Sequence, residues 1–110
     1  MWYLLVWSQK NNNDKIMLSG SAKTKYILAI DAAHSGQFEL AKSLQEQGKK
    51  ELQVGYEEHI HMLKKSSLED GHSVSLLLAH AEDQLANAEL FEIVCRQMIR
   101  LYQKIDTLEQ

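Results

Sequence analysis

Apolar residues recur every three or four positions along most of this chain, which is typical of amphipathic helices. No proline interrupts the 110 residues, and strong helix formers such as Leu, Ala, Glu, Lys and Gln are abundant. Two short polar segments with glycine, 35–37 and 66–72, divide the pattern. They predict three helices, at about 15–34, 38–65 and 73–107. Because both connections are short, we expect an all-α, up-down-up antiparallel three-helix bundle.

Small residues within the first two predicted helices indicate close helix contacts. The apolar stripe expected on the first helix contains Ile16, Met17, Gly20, Lys23 (through its stem), Ile27, Ile30, Ala33 and His34. The second helix has Gly48 and Gly55 seven residues apart on one face. A glycine inside a helix costs about 1 kcal/mol relative to alanine. We therefore expect a neighbouring helix to approach closely at these positions.

The third predicted helix has two apolar stripes rather than one. The first consists of Val74, Leu77, Leu78, Ala81, Leu85 and Ala88, and the second of Leu90, Val94, Leu101 and Ile105. Two helices of the same chain can cover about one such stripe. The second stripe would leave a large apolar patch exposed, so it predicts a homo-oligomer with closed symmetry.

A polar cluster lies in line with the second stripe. His80, Asp83 and Asn87 have the spacing i, i+3 and i+7, which places them on one side of the helix. Polar groups cost free energy when they are buried, so the cluster requires a solvated groove or a function. By contrast, His59 and His61 are two residues apart, point to different faces and do not form a helical metal pair.

Charge, cysteine content and the N-terminus exclude several kinds of function. The net charge is −3 without a run of five like charges, so nucleic acid is not expected as a partner. Cys95 is the single cysteine, which fits a reducing cytoplasm and a small buried side chain. Residues 1–7 are apolar but far short of the ~20 needed to span a bilayer, and they lack signal-peptide features. We expect residues 1–14 to be an extension that begins the chain, with 8–14 as a polar loop; a membrane-surface anchor is the alternative.

Several motifs in the chain resemble one known family. His80-Ala-Glu-Asp83-Gln-Leu, preceded by Val74-Ser-Leu-Leu-Leu, is similar to the third-helix signature V-S-L-x-L-x-H-A-Q-D-H-L-M of the lactose/cellobiose (diacetylchitobiose) enzyme IIA family. Ser19-Gly-Ser-Ala-Lys-Thr resembles the S-G-x-A-R-S motif of this family, and Ala33-His-Ser-Gly-Gln-Phe its A-x-x-G-D-F turn. Leu101-Tyr102 matches the closing L-Y. The motifs occur in order over residues 16–105.

The resemblance implies a function in the bacterial phosphoenolpyruvate-dependent sugar phosphotransferase system. It implies that His80 is the catalytic residue, which accepts a phosphoryl group from the histidine-containing phosphocarrier protein and passes it to a cysteine of enzyme IIB. It also implies a nine-helix homotrimer in which Asp83 binds a divalent cation such as Mg²⁺ on the trimer axis. The chain would then be a cytoplasmic phosphotransferase without membrane insertion, serving uptake of lactose-, cellobiose- or chitobiose-type sugars. Residues 15–110 would form the enzyme IIA-like domain.

The sequence also departs from the family motifs. Gln84, Ala86 and Glu82 replace a histidine, a methionine and a glutamine of the third-helix signature, Gln37 replaces the aspartate of the turn, and Tyr56 lies where a histidine is common. Glu82 and Glu89 add negative charge close to His80 in the sequence. An alternative function is therefore a non-catalytic or regulatory helical trimer, a degenerate IIA paralogue that acts as a protein-interaction module.

Overall fold

The computed structural model describes the backbone of residues 2–68 and 72–110, and the side chains of 18–65, 76 and 78–110. It contains three helices, α1 (Trp2–His34), α2 (Phe38–Leu68) and α3 (His72–Glu109). They form a rod with extents of 63 × 15 × 15 Å. In the part of the chain that is described there is no strand, so the predicted all-α, up-down-up bundle is confirmed.

Gly36 ends α1 and allows the chain to reverse. Its φ of +79° is in the left-handed region, which L side chains rarely adopt. The Gly36 N–H donates to the Ala33 carbonyl at 3.0 Å, and the Gln37 N–H donates to the Ala32 carbonyl at 2.8 Å. This pair of hydrogen bonds is the Schellman motif, which satisfies carbonyl groups at the end of a helix. The predicted C-cap and the antiparallel second helix are both confirmed.

The helix bounds correct the expected N-terminal loop. α1 begins at Trp2, so residues 8–14 are helical rather than a loop. Neither glycine nor proline occurs before Gly20, and the asparagines at 11–13 cost at most about 0.7 kcal/mol each as helix residues. The second connection is also shorter than expected, because α2 continues to Leu68. The division into an extension (1–14) and a domain (15–110) stays a prediction.

α2 packs closely against the other helices at its two glycines. A Cβ atom on Gly48 would lie 2.6 Å from Tyr26 Cε1, and one on Gly55 would lie 2.8 Å from Leu85 Cδ2. Real Cβ atoms do not make contacts this short, so only glycine lets the Tyr26 ring and the Leu85 side chain occupy these places. The close approach predicted from the two glycines is confirmed.

The apolar stripe expected on α1 is only partly the buried face. Gly20 is exposed with no atom within 4 Å of a Cβ there, and Ile27 is 47% exposed. The buried line instead consists of Ser19, Ala22, Tyr26, Ala29, Ala32 and Ala33. Ser19 and the four alanines on this line let the helix axes approach, and Gly48 on α2 leaves space for the Tyr26 ring. The expected contributions of Ile16 and Met17 lie outside the described side chains.

Two ring contacts show how α1 and α3 align. The Lys23 ammonium lies 5.6 Å from the centre of the Phe91 ring, and the rings of His34 and Tyr102 meet edge-on at 5.3 Å. Lys23 and His34 are eleven residues apart, as are Phe91 and Tyr102. Eleven residues are about three helical turns, so α1 and α3 run parallel with a constant offset.

Charged and polar side chains are buried beside the apolar core. The Glu92 carboxylate, 11% exposed, lies 3.7 Å from the Lys49 ammonium and 3.9 Å from the Arg96 guanidinium. Lys25 on α1 pairs with Glu51 on α2. Burial raises the pKa of Tyr26 above its usual value, and it raises the pKa of the Cys95 thiol to about 11. Cys95 is buried, as its sequence context predicted.

Candidate functional site

α3 separates its residues into a covered face and an open face. Leu78, Ala81, Leu85 and Ala88 are buried against α1 and α2. The residues of the second stripe are exposed, together with the polar cluster: His80, Asp83, Asn87, Leu90, Val94, Leu101 and Ile105. We call these seven residues the outward line. The two predicted stripes are confirmed for the described side chains; Val74 and Leu77 lie outside them.

The polar cluster lies within exposed apolar surface. Leu76, one turn before His80, is 75% exposed, and Leu90, one turn after Asn87, is 58% exposed. His80 is itself exposed, with Leu76 on the turn before it and Asp83 on the turn after it, so its imidazole is open to an approaching protein. This arrangement suits a group that must be reached by partners rather than a small-molecule pocket.

His80 also lies near the seam between α1 and α3. It precedes Phe91 by the same eleven residues that separate Phe91 from Tyr102, and both of those rings contact α1. The backbone of α3 therefore places His80 at the edge of the open face that is nearer to α1.

The two glutamates expected to add charge near His80 lie on the other side of α3. They are two and nine residues after His80, which corresponds to about half a turn around the helix axis in each case. Glu82 Oε2 lies 3.9 Å from Nε2 of the buried His59, and the Tyr56 hydroxyl donates to Glu89 Oε2 at 2.7 Å. Burial, followed by this hydrogen bond, raises the pKa of Tyr56 to about 12.

These contacts between α2 and α3 were not predicted from the sequence. The available signal was the pair Tyr56 and His59, one turn apart on α2, opposite Glu82 and Glu89, two turns apart on α3. The prediction that His59 and His61 face different ways is confirmed, because His59 is buried and His61 is exposed.

Asp83 is the exposed carboxylate that one chain would offer to a metal ion at the outward line. Among the described residues, no group of three or more His, Cys, Asp or Glu side chains is placed to hold a metal within one chain. An oxygen-preferring cation such as Mg²⁺ usually has one or two carboxylates and several waters as ligands. Asp83 fits that chemistry if copies of the chain meet at the outward line, and its role as a ligand stays a prediction.

Comparisons with known proteins place this arrangement in a family. The family model described as "PTS system, Lactose/Cellobiose specific IIA subunit" matches residues 15–103, which include the outward line up to Leu101. The chain belongs to this family. It is thus a sugar-specific IIA component of the phosphotransferase system, and such components are phosphotransferase relay proteins.

Relatives of known name agree with the family match. The lactose-specific EIIA component of Lacticaseibacillus casei is 27% identical over 94 residues, covering 86% of this chain and 84% of that protein. Two Bacillus subtilis proteins are similar to the same degree. The oligo-beta-mannoside-specific EIIA component is 29% identical (79% of each chain), and the lichenan-specific enzyme IIA component is 28% identical (82% of each). No solved structure matches the chain significantly. Over the described residues, none of the helices is both long and apolar enough to cross a membrane.

Proposed function

We propose that His80 is the phosphoryl carrier of this IIA component. Its donor is the histidine-containing phosphocarrier protein, and its acceptor is a cysteine of enzyme IIB. The observation that supports this most directly is the exposure of His80 on the open face of α3, at the histidine of the family signature. The family description names lactose and cellobiose, and relatives are named for lactose, oligo-beta-mannosides and lichenan. The transported substrate that we propose is a sugar of the lactose, cellobiose or chitobiose type. We place the reaction in the cytoplasm.

The chemistry of the relay suits an exposed imidazole. An imidazole nitrogen of His80 attacks the phosphorus atom, a P–N bond forms on His80, and the P–N bond of the donor histidine breaks. In the second step the IIB thiolate attacks the same phosphorus, a P–S bond forms, the P–N bond of His80 breaks, and the neutral imidazole leaves with both electrons of that bond. Imidazole is a nucleophile and a leaving group near neutral pH, so positioning and charge account for most of the remaining catalysis.

We further propose that three copies assemble through the outward line. Leu90, Val94 and Leu101 are between 44% and 58% exposed in one chain, and contact between copies would remove them from water. Assembly would also bring the three Asp83 carboxylates together. Like charges at close range repel each other, and a bound Mg²⁺ would neutralise them. His80, at the edge of the face nearer to α1, would stay accessible beside the contact.

Label transfer tests the carrier role. Radiolabelled phosphoenolpyruvate, with the general phosphotransferase proteins, is expected to label the wild-type chain with acid-labile phosphate. His80→Ala should abolish the label, whereas His61→Ala, which removes an exposed histidine of α2, should leave it unchanged. Label on the His80→Ala protein would contradict the proposal. An assembled but unlabelled wild type would instead favour the alternative function, a non-catalytic interaction module.

Melting curves test the metal site. With Mg²⁺ present, the wild-type assembly should melt at a higher temperature than in chelator, and Asp83→Ala should remove this difference. Asp106→Ala, which removes a carboxylate of α3 away from the outward line, is the matched control and should retain it. Identical wild-type curves with and without chelator would contradict the metal site.

A further inference from the structure

Two side chains of α2 contact the glutamates that flank the polar cluster of α3. The Tyr56 hydroxyl donates a 2.7 Å hydrogen bond to Glu89, and Nε2 of His59 lies 3.9 Å from the carboxylate of Glu82. Tyr56 and His59 are one turn apart, so they meet α3 from the same side of α2. His59 is 4% exposed, whereas the Glu82 side chain is 66% exposed. Tyr56 thus fixes Glu89 by a hydrogen bond, whereas His59 lies beside the Glu82 carboxylate without a hydrogen bond between the two groups.

Without these contacts the two glutamates would have considerable freedom. A glutamate side chain has three rotatable bonds, and a helix with its side chains is only about 10–12 Å across. A charge is felt over a Debye length of about 8 Å at physiological ionic strength. A released carboxylate at position 82 or 89 therefore lies within electrostatic range of the open face, where a phosphoryl group would arrive with negative charge.

We infer that Tyr56 and His59 are positioning residues for the phosphoryl relay: they hold the carboxylates of Glu89 and Glu82 on the α2 side of α3. Asp83 is the one acidic residue among the seven residues of the outward line. This inference rests on the proposed function of His80. The α3 backbone places Glu82, where the family signature has glutamine, about half a turn from His80, and His59 lies beside its carboxylate on that side.

Transfer rates at two salt concentrations test the inference. The release variant Tyr56→Phe/His59→Gln is expected to accept phosphate from the phosphorylated phosphocarrier protein about tenfold more slowly at low salt, which is the lower end of the effect of electrostatic steering on association rates. At high salt the difference should shrink, since screening removes repulsion between exposed charges. Adding Glu82→Gln and Glu89→Gln to the release variant should restore the wild-type rate at low salt.

Control variants separate positioning from structure. Tyr102→Phe/His61→Gln makes the same chemical changes at residues that do not contact the two glutamates and should transfer at the wild-type rate. Tyr56→Phe alone removes one hydroxyl and leaves the buried His59 unchanged. It therefore tests the inference even if the change at His59 unfolds the chain. A purely structural role would slow transfer at both salt concentrations without rescue by the glutamine substitutions, and this result would overturn the inference. The inference would also be overturned if the wild type is labelled at His80 and the release variant accepts phosphate at the same rate as the wild type at low salt. An unlabelled wild type would overturn the proposed function and this inference together.

Discussion

The two faces of α3 have similar apolar content but different surroundings. On the covered face, Leu78 and Leu85 are at most 3% exposed and pack against the other two helices. On the open face, Leu90 and Leu101 are 58% and 49% exposed. Fully burying a leucine stabilises a protein by about 1.5–3 kcal/mol relative to leaving it in water. The covered face therefore stabilises the fold of one chain, whereas the exposed part of the leucines on the open face would be buried only by association.

The two faces of α3 also differ in their polar residues. The covered face can contain Ala81 and Ala88 because α1 and α2 approach closely there, but it has no room for an accessible imidazole. The open face exposes His80, one turn after Leu76 and one turn before Asp83. With the open face as the proposed surface for partners, substitutions on the two faces of α3 should have separable effects.

A charge on the open face should have the largest effect, and it should act on assembly. In Val94→Glu, contact between copies would bury several unpaired carboxylates, each at a cost of several kcal/mol. We expect a folded, dissociated chain in sedimentation equilibrium, with the helical circular dichroism of the wild type. Arg100→Glu, also on the surface of α3 but outside the outward line, should still assemble. A Val94→Glu protein of unchanged mass would show that the open face does not join copies.

A cavity on the covered face should instead destabilise the chain itself. Leu85→Ala is expected to cost about 2–5 kcal/mol of unfolding free energy, because Leu85 is fully buried against Gly55. Denaturant unfolding in the dissociated Val94→Glu background measures this without a contribution from association. Leu40→Ala, the same change at a side chain that is 48% exposed on α2, should cost much less. Equal costs would mean that the covered face is not the core.

Two glycines should respond to the same substitution with opposite signs. Gly48→Ala places a methyl group against the Tyr26 ring and should destabilise the chain by about 1–3 kcal/mol. Gly20→Ala meets no atom within 4 Å and should stabilise α1 by up to about 1 kcal/mol. Both values come from denaturant unfolding in the Val94→Glu background. Stabilisation by Gly48→Ala would contradict the close contact between α1 and α2.

The smallest expected effect is a pH dependence from Tyr56. An unfolded tyrosine loses its proton near pH 10, whereas folded Tyr56 keeps it until about pH 12. Between these values the unfolded chain binds fewer protons, so this contribution to stability is complete below pH 10 and is lost as the pH rises toward 12. The wild type should lose unfolding free energy more steeply than Tyr56→Phe over that window. Parallel curves for the two proteins would contradict the contact with Glu89.

The sequence predicts much of this architecture because each signal has a local physical cause. Gly36 ends α1 since a left-handed residue is needed there, and the two stripes of α3 follow from helical periodicity. The buried face of α1 was predicted only in part because apolar residues surround that helix. Gly48 leaves space for the Tyr26 ring, whereas Ile27 stays exposed. The contacts of Glu82 and Glu89 depend on how α2 faces α3, which periodicity within one helix does not determine.

We propose that the open face of α3 carries both the relay and the assembly. Native mass spectrometry after incubation with phosphoenolpyruvate and the general phosphotransferase proteins reads both properties in one spectrum. The expected species is a trimer with one acid-labile phosphoryl group per chain, located at His80 by fragmentation. A monomer that is phosphorylated at His80, or a trimer that is phosphorylated elsewhere, would contradict the claim.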